Sequence, residues 1–192
     1  MFRSTLALAL VTAFFAGIAA AGPKEVVHDA FVKFLAVKSF RADVTDVNKQ
    51  QPISTMMFVA PDRYHIRTGQ GGTEQTIIGD DAYTTIEGRT MKLPIPVGKI
   101  IGQYRNQATL AQLEQGMTVT SAGSDSVDGE LADAYSYTIT EPVKADVKVW
   151  ISQKSGLPIQ IESQGRFLGV KSTTRVKYYD FDDASIKVTA PN

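Results

Sequence analysis

The first long pattern of apolar and polar positions in the chain predicts an amphipathic helix. In GPKEVVHDAFVKFLAVKSF, which begins at Gly22, apolar side chains recur three and four positions apart, with charged residues between them. That spacing places the apolar side chains on one face of a helix. Pro23 fits the first turn, where its missing N–H would have no partner. We expect this face to plug the concave side of a sheet through Phe31, Phe34 and Leu35.

After Ser39 the period changes to two, which predicts strands. Phe40, Ala42 and Val44 alternate with polar neighbours, as in a half-buried strand. Similar alternating runs, separated by turns rich in Gly, Pro and Asp, continue through the chain and predict about ten antiparallel strands. A sheet of this width does not remain flat. We therefore expect a mainly β, α+β fold in which a strongly curved antiparallel sheet holds the helix on its concave face.

The segment PIPVGKIIGQYRNQATLAQLEQGM interrupts the alternation halfway along the chain. Its helical spacing is weak, so it predicts one or two short helices or a mobile loop, but not a strand. The segment is apolar enough to cover another surface. We interpret it as a short helical lid on the concave face, in which the moving residues would be Ile100, Ile101 and Tyr104.

Three consecutive large apolar residues, Met56, Met57 and Phe58, place hydrophobic side chains on both faces of one predicted strand. Since antiparallel sheets commonly keep one face polar, two interpretations follow. One is a well-filled core with a helix over the second face. The other is a concave surface of Met and aromatic side chains that accepts an apolar ligand. The candidate lining residues of that ligand site are Phe40, Met57, Phe58, Tyr64, Ile66, Tyr83, Ile86, Met91, Leu93 and Trp150.

Trp150 is the only Trp in the chain and lies within the alternating run VWIS. Alternation puts its side chain on the face opposite Val149 and Ile151. One of these two faces must be the concave one, and the pattern leaves open which. Trp150 is therefore a candidate for packing or for ligand contact.

The first 21 residues predict an export signal. Arg3 is followed by an apolar stretch and then by small residues that include Ala19 and Ala21, the pattern that a signal peptidase cleaves. A membrane span is the alternative interpretation, but the apolar stretch is shorter than the roughly 20 residues that a bilayer core requires. We expect a signal peptide at 1–21, a single domain at 22–192 and no transmembrane span in the mature chain.

Composition excludes several classes of function. The chain has no Cys, which excludes disulfides, thiolate catalysis and Cys-based zinc sites. Twenty basic residues balance 20 acidic ones, and no cluster of Lys and Arg stands out. Proteins that bind nucleic acid usually present such a cluster, so we expect no nucleic-acid partner.

Candidate catalytic and metal-binding residues are sparse. His28 and His65 are isolated, without the H-E-x-x-H spacing of a zinc enzyme, and no G-x-S-x-G is present to hold a nucleophilic Ser on a strained turn. GSDSVDGE resembles a calcium loop only superficially, because Ser124 and Ser126 stand where carboxylates are required. We expect a turn there, and we expect no catalytic residue, metal, cofactor or enzymatic activity.

Several short stretches, in one order and spacing, carry a resemblance that spans nearly all of the chain after the leader. They are Ser39–Ala42, Ala60–Tyr64, Ile77–Tyr83, Val149–Ile151 with Gly156–Glu162, and Tyr178–Phe181. Together they resemble the LolA-like superfamily, which includes periplasmic lipoprotein carriers, lipid-binding lipoproteins and outer-membrane lipoprotein-sorting proteins. The resemblance implies an unclosed antiparallel half-barrel whose hydrophobic concavity is covered by helices. It also implies an Arg before the turn proline that ties down the lid, whereas this chain has Ala60 there.

Two functions stay open. In the first, which the resemblance favours, the protein is a periplasmic, non-enzymatic carrier. It would bind a lipid, or the acyl chain of a lipoprotein, and pass it to an acceptor protein of the inner or outer membrane. In the second, the same half-barrel has a filled core and no lipid cargo, and it serves as an envelope protein–protein interaction module. We expect a monomer.

Overall fold

A computed structural model describes residues 21–69, 72–102, 105–115, 117–140, 144–167 and 170–191 of the protein. The predicted signal peptide, apart from Ala21, lies outside these residues. The described ranges contain three helices and eleven strands. In chain order these are α1 (Pro23–Ala36), β1 (Ser39–Asp46), β2 (Gln51–Val59), β3 (Arg63–Thr68), β4 (Glu74–Ile78), β5 (Asp81–Ile86), β6 (Arg89–Lys92), α2 (Val97–Gly102), α3 (Gln107–Glu114), β7 (Thr120–Val127), β8 (Glu130–Ile139), β9 (Ala145–Ser152), β10 (Pro158–Phe167) and β11 (Val170–Tyr179).

All eleven strands belong to one antiparallel sheet, in the order β6-β5-β4-β3-β2-β1-β11-β10-β9-β8-β7. Strands that follow each other in the chain are neighbours in the sheet within two meanders, β1 to β6 and β7 to β11. The meanders are joined where β1 pairs with β11, while β6 and β7 stand at opposite ends of the sheet. This arrangement confirms the predicted α+β half-barrel, with eleven strands in place of about ten.

The structure differs from the prediction at GSDSVDGE, which was expected to be a turn. Most of this stretch continues β7 as far as Val127, with a bulge between Ser121 and Ser124. The turn itself is Asp128 and Gly129, both at positive φ, and an Asp-Gly pair favours two-residue hairpin turns. The apolar pattern missed the strand because almost every β7 side chain is exposed, so no buried position marks it.

The face of the sheet that the helices cover holds the core, and we call it the inner face. Cross-strand pairing aligns Phe40, Phe58, Tyr64, Ile77 and Ala82 in one row from β1 to β5, and all five are buried. The opposite face, which we call the outer face, carries the alternate residues of the same strands. Period-two alternation in the sequence reflects this division.

α1 covers the half of the inner face that belongs to the second meander. Its Val27 and Ala30 pack against Val147, Val149 and Ile151 of β9. Pro23 begins the helix, as predicted, and Val37 ends it with its N–H bonded to the Phe34 carbonyl. The apolar stripe that predicted the helix is therefore the stripe that meets the sheet.

α2, α3 and the described residues between them form the lid, which extends the helical cover over the first meander. Val97 and Ile101 of α2 pack against the core row. Gly98 makes the closest approach, since a Cβ built on it would lie 1.7 Å from the Gly79 carbonyl oxygen, in the turn between β4 and β5. Only a residue without a side chain allows α2 to lie this close to the sheet.

We expect Gly98→Ala to weaken the docking of α2, because the added methyl group overlaps backbone that cannot move aside alone. Strain of this kind typically costs about 1–3 kcal/mol, which a urea unfolding curve would measure as a lower free energy of unfolding. Gly102, in the same helix, has no atom within 4 Å of its ideal Cβ position. Gly102→Ala is therefore the matched control and should leave stability unchanged or raise it. Equal stability of the two variants would contradict the tight docking of α2.

Candidate functional site

A cavity of about 520 Å³ lies between the inner face and the helices. Its walls come from α1, from strands of both meanders and from the lid. Most of the side chains that line it are aliphatic or aromatic. They are Phe31, Phe34, Leu35, Phe40, Met56, Tyr64, Ile66, Ile101, Arg105, Asn106, Leu110, Glu114, Met117, Tyr137, Ile139, Val147, Ile161, Ser163 and Tyr178.

A continuous row of aromatic rings, which we call the aromatic wall, borders the cavity: Phe34, Phe40, Tyr64 and Tyr178 line it, and Phe58 joins them from the core. Phe34 of α1 contacts Phe40 and Tyr178, with ring centroids 5.1 and 4.9 Å apart. Phe40 contacts Phe58 at 5.0 Å, and Phe58 contacts Tyr64 at 5.0 Å. The tilted and edge-on angles are those that aromatic pairs prefer. The wall thus links α1 to β11, β1, β2 and β3 through direct ring contacts.

Arg105 of the lid lies over this wall. Its guanidinium carbon is 4.1 Å from the centroid of the Phe58 ring and 5.0 Å from that of Phe34, within the range of a cation–π interaction. Nη2 donates to the carbonyl oxygens of Phe34, at 3.0 Å, and Val37, at 3.4 Å. These carbonyls belong to the C-terminal turn of α1, which carries partial negative charge. Arg105 therefore ties the lid to the end of α1.

The electrostatics of this part of the cavity are governed by burial. Burial lowers the pKa of the Arg105 guanidinium from its usual value, without discharging it at physiological pH. Burial raises the pKa of Tyr178 to about 12 and raises that of Tyr64, while the charge of Arg105 opposes both increases. Asp62 acts on Tyr64 in the same sense as burial and more weakly than Arg105. Both phenols are therefore protonated donors beside a cation.

A second set of contacts ties the end of α3 to the first half of α1. His28 Nδ1 lies 2.9 Å from both carboxylate oxygens of Glu114. Lys24 Nζ donates to the Glu114 carbonyl oxygen at 2.9 Å. α3 is thus held to α1 on both sides, by Arg105 just before it and by Glu114 at its end, and both residues line the cavity.

Several predicted site residues do line this cavity. Phe40, Tyr64 and Ile66 contribute from the strands, Ile101 from the lid, and the predicted helix plug contributes all three of its members: Phe31, Phe34 and Leu35. Phe58 lies in the buried core under the Arg105 guanidinium. Leu93 is partly buried and packs against the same core.

Other predicted residues lie elsewhere, so the expectation that they face the concavity needs correction. Met57 and Tyr83 lie on the outer face, because Met57 pairs with His65, His65 with Thr76, and Thr76 with Tyr83. That row is one residue out of phase with the core row, and a shift of one residue reverses the face. Met56, which the sequence did not single out for the site, occupies the inner position.

Trp150 also lies on the outer face, and the inner face of β9 is that of Val149 and Ile151. Trp150 is 5% exposed and packs with Ala132, Ala134 and Ile159. Its indole N–H donates to the Asp125 carboxylate at 3.0 Å, and Lys148 Nζ lies 4.4 Å from its ring centroid. This hydrogen bond to β7 supplies the acceptor that the N–H of a buried indole requires.

Three of the predicted residues are exposed rather than enclosed. Ile86, Met91 and Ile100 lie at the ends of β5 and β6 and on α2, with 44%, 58% and 49% of their surface accessible. Ile95, between β6 and α2, is also exposed. Tyr104 lies outside the described residues. The predicted lid thus contributes Ile101 to the cavity and Ile100 to the surface.

Sequence reasoning missed most of the polar residues of the cavity, among them Arg105 and Tyr178. Arg105 and Tyr178 lie 73 positions apart, and no local motif marks either. Tyr178 could have been assigned from alternation once β11 was placed beside β1, because Ala42 pairs with Tyr178. Arg105 lies in a segment whose helical spacing is weak, so the sequence did not indicate which way its side chain points.

A second groove, of about 530 Å³, lies over the second meander. Its lining is rich in polar and charged side chains, which include Thr120, Ser136, Lys148, Glu162 and Thr173. Small-molecule sites are mostly apolar and concave, which favours the cavity under the lid. In the described part of the chain, no group of three or more His, Cys, Asp or Glu side chains could hold a metal ion. Among its helices, none combines the length and hydropathy that crossing a bilayer requires.

The fold is similar to two solved mycobacterial structures. The Mycobacterium tuberculosis lipoprotein LppX superposes with a TM-score of 0.66 at 12% identity, over 86% of this chain and 97% of that one. LprF from Mycobacterium bovis gives a TM-score of 0.62 at 15% identity, over 88% and 96%. No protein-family model matches the sequence, and no curated protein matches it. The chain has a LolA-like fold, as its short stretches predicted.

The hydrogen bond between Trp150 and Asp125 should be lost in acid. The hydrogen bond from Trp150 holds the pKa of the Asp125 carboxyl below its usual value, which is about 3.9 in an unfolded chain. The contact therefore contributes fully above about pH 4 and is lost as the pH falls through the lower, folded pKa. The fluorescence of Trp150, the only Trp, should be constant from neutral pH to about pH 4 and change below it.

Asp125→Asn is the control for that titration, because it keeps an oxygen acceptor for the indole and cannot ionise. The acid step in Trp fluorescence should be absent from this variant. An unchanged step would show that another group causes it.

Proposed function

We propose that the protein is a non-enzymatic carrier that binds a lipid, or the acyl chain of a lipoprotein, in the cavity between the inner face and the helices. The proposal includes export to the periplasm with removal of residues 1–21, a single domain at 22–192, and transfer of the cargo to a membrane acceptor protein. The observation that carries it is the apolar cavity of about 520 Å³ under the lid.

The size and lining of the cavity suit an acyl chain. Its volume lies within the range of about 300–1,000 Å³ that small-molecule sites occupy. Burial of apolar surface gains roughly 25 cal/mol per Å², or about 0.8 kcal/mol for each CH₂ group, so a long chain gains several kcal/mol before the cost of ordering it. Met56 and Met117 supply flexible side chains that adapt to irregular ligands.

The lid provides a way in for cargo of this kind. It is held to α1 by hydrogen bonds and charged contacts at Arg105, just before α3, and at Glu114, at the end of α3. These interactions are individually weak and reversible. Lid opening would uncover the cavity without disturbing the eleven-stranded sheet. The LolA-like fold supports the same assignment, since the superfamily named from the sequence includes carriers of acyl chains.

An envelope interaction module is the second candidate. It is favoured by the exposed apolar side chains Ile86, Met91, Ile95 and Ile100, which lie at β5, β6 and α2. Isolated exposed apolar residues are common on soluble proteins, and an apolar docking surface usually groups several of them. In this alternative, these side chains bind an envelope protein and the cavity holds no cargo.

Native mass spectrometry separates the two candidates. The protein would be purified from periplasm without detergent, and any bound species would be extracted into organic solvent. We expect an adduct with the mass of a lipid or an acylated molecule. An unmodified apo mass that does not shift when phospholipid is added would contradict the carrier and favour the interaction module.

Neighbouring methionines provide a direct test of the cavity. Met56 lines it and Met57 faces outward. Met56→Gln conserves volume but places an amide against the ligand, so the affinity for a neutral naphthylamine dye should fall about tenfold, the cost of burying an unpaired polar group. Met57→Gln is the matched control and should change the dye affinity by less than about twofold. Equal losses in both variants would place the dye outside this cavity.

A further inference from the structure

We infer that the cavity selects amphiphiles with a compact anionic headgroup, a carboxylate or a phosphate, and that Arg105 binds this headgroup with Tyr64 and Tyr178. This inference rests on the proposed function, because it assigns the chemical class of the cargo in the same cavity. It assigns to the lid a recognition role in addition to that of a cover.

The first observation is a cation in an apolar cavity without a carboxylate partner. Arg105 lies against Phe34, Phe40 and Phe58, with its guanidinium carbon 4.1–5.5 Å from their ring centroids. Within the described part of the chain, no Asp or Glu forms an ion pair with it. A buried cation is usually matched by an anion, and an anionic headgroup would supply that partner.

Among the described residues, the hydrogen bonds of Arg105 leave most of its guanidinium donors available. Both bonds that the structure gives to Arg105 leave from Nη2, toward the carbonyl oxygens of Phe34 and Val37. A guanidinium has five N–H donors in a planar fork, suited to two parallel bonds with a carboxylate or phosphate. If Arg105 served only to cap α1, these two bonds would suffice and the cavity wall could be neutral.

Two phenol groups add donors at the same place. Tyr64 and Tyr178 line the cavity, and each contacts a ring that lies under the guanidinium: Phe58 for Tyr64 and Phe40 for Tyr178. The structure gives neither hydroxyl a hydrogen-bond partner among the residues that it describes. Both phenols stay protonated at neutral pH, so each can donate to an anion held by Arg105.

The charges of the cavity also give the headgroup a direction. Glu114 lines the cavity as well, but it is held by His28 at the start of α1. Arg105 bonds to Phe34, which is six residues further along α1, or roughly 9 Å at the rise of an α-helix. An anion is attracted to the Arg105 end and repelled from the Glu114 end. The acyl chain would then extend from Arg105 along the apolar walls.

The test compares a fluorescent polyene fatty acid with its methyl ester at a pH where the acid is ionised. The two probes share the chain and differ in headgroup charge. We expect the wild-type protein to bind the acid at least about tenfold more tightly, as a charge-assisted hydrogen-bonded pair allows. Displacement of the probe by a monoacyl phosphate and by the matching monoacylglycerol then shows whether the site accepts phosphate, carboxylate or both.

Variants test which residues cause the preference for the acid over its ester. Arg105→Gln should bring the ratio of acid to ester affinity close to one, Arg105→Lys should keep part of it, and the double variant Tyr64→Phe, Tyr178→Phe should lower it with both rings in place. Arg67→Gln is the matched control, because Arg67 lies on the outer face paired with Glu74, and its ratio should equal that of the wild type.

The outcomes separate the inference from the proposed function. Equal binding of acid and ester by the wild type, together with equal displacement by the monoacyl phosphate and the monoacylglycerol, overturns the anion site and leaves the carrier intact. A wild-type ratio in Arg105→Gln does the same. Binding of neither probe by the wild type overturns the carrier itself. If Arg105→Gln binds neither probe because the lid is displaced, the double variant Tyr64→Phe, Tyr178→Phe decides. A wild-type ratio of acid to ester affinity in that variant overturns the role of the two phenols, and with it the proposed site.

Discussion

The pairing of β1 with β11 is the constraint on which the rest of the structure depends. It joins residues from opposite ends of the described chain, from Arg41 with Tyr179 to Asp46 with Thr174. Bonds beyond the ladder reinforce it: the Asp182 N–H donates to the Ser39 carbonyl oxygen at 2.8 Å. Because each meander holds only local contacts, this junction alone makes them one sheet. It also brings Tyr178 beside Phe40, and so assembles the aromatic wall.

The helices and the sheet together enclose the cavity. α1 fills the inner face of the second meander, α2 docks on the first through Gly98, and the space left between them is the cavity. The walls are mainly apolar where the strands supply them, and the polar groups come mainly from the lid and from three tyrosines. The cavity therefore arises from incomplete filling of a core rather than from a specialised loop.

The sequence predicts the architecture well because alternation and helical spacing record which side chains are buried. α1, the meanders and the lid follow from these two periods, and the aromatic plug of Phe31 and Phe34 follows with them. The face of the sheet on which a side chain lies is harder to predict. Met56 and Met57 are equally apolar, and only pairing with β1 and β3 decides which of them points inward. Trp150 was ambiguous for the same reason. The position of Arg105 depends on contacts with the distant end of α1, and no local pattern carries that information.

Just before α3, the lid is held by acceptors that belong to the backbone. Arg105 donates to the carbonyl oxygens of Phe34 and Val37, and every amino acid at these two positions would present the same oxygens as long as α1 persists. Substitution at these two positions therefore leaves both acceptors in place, although at position 34 it alters the ring that lies 5.0 Å from the guanidinium carbon. During divergence, the side chain at position 34 can therefore reshape the cavity that it lines, while the two hydrogen-bond acceptors of the lid are inherited with the helix itself.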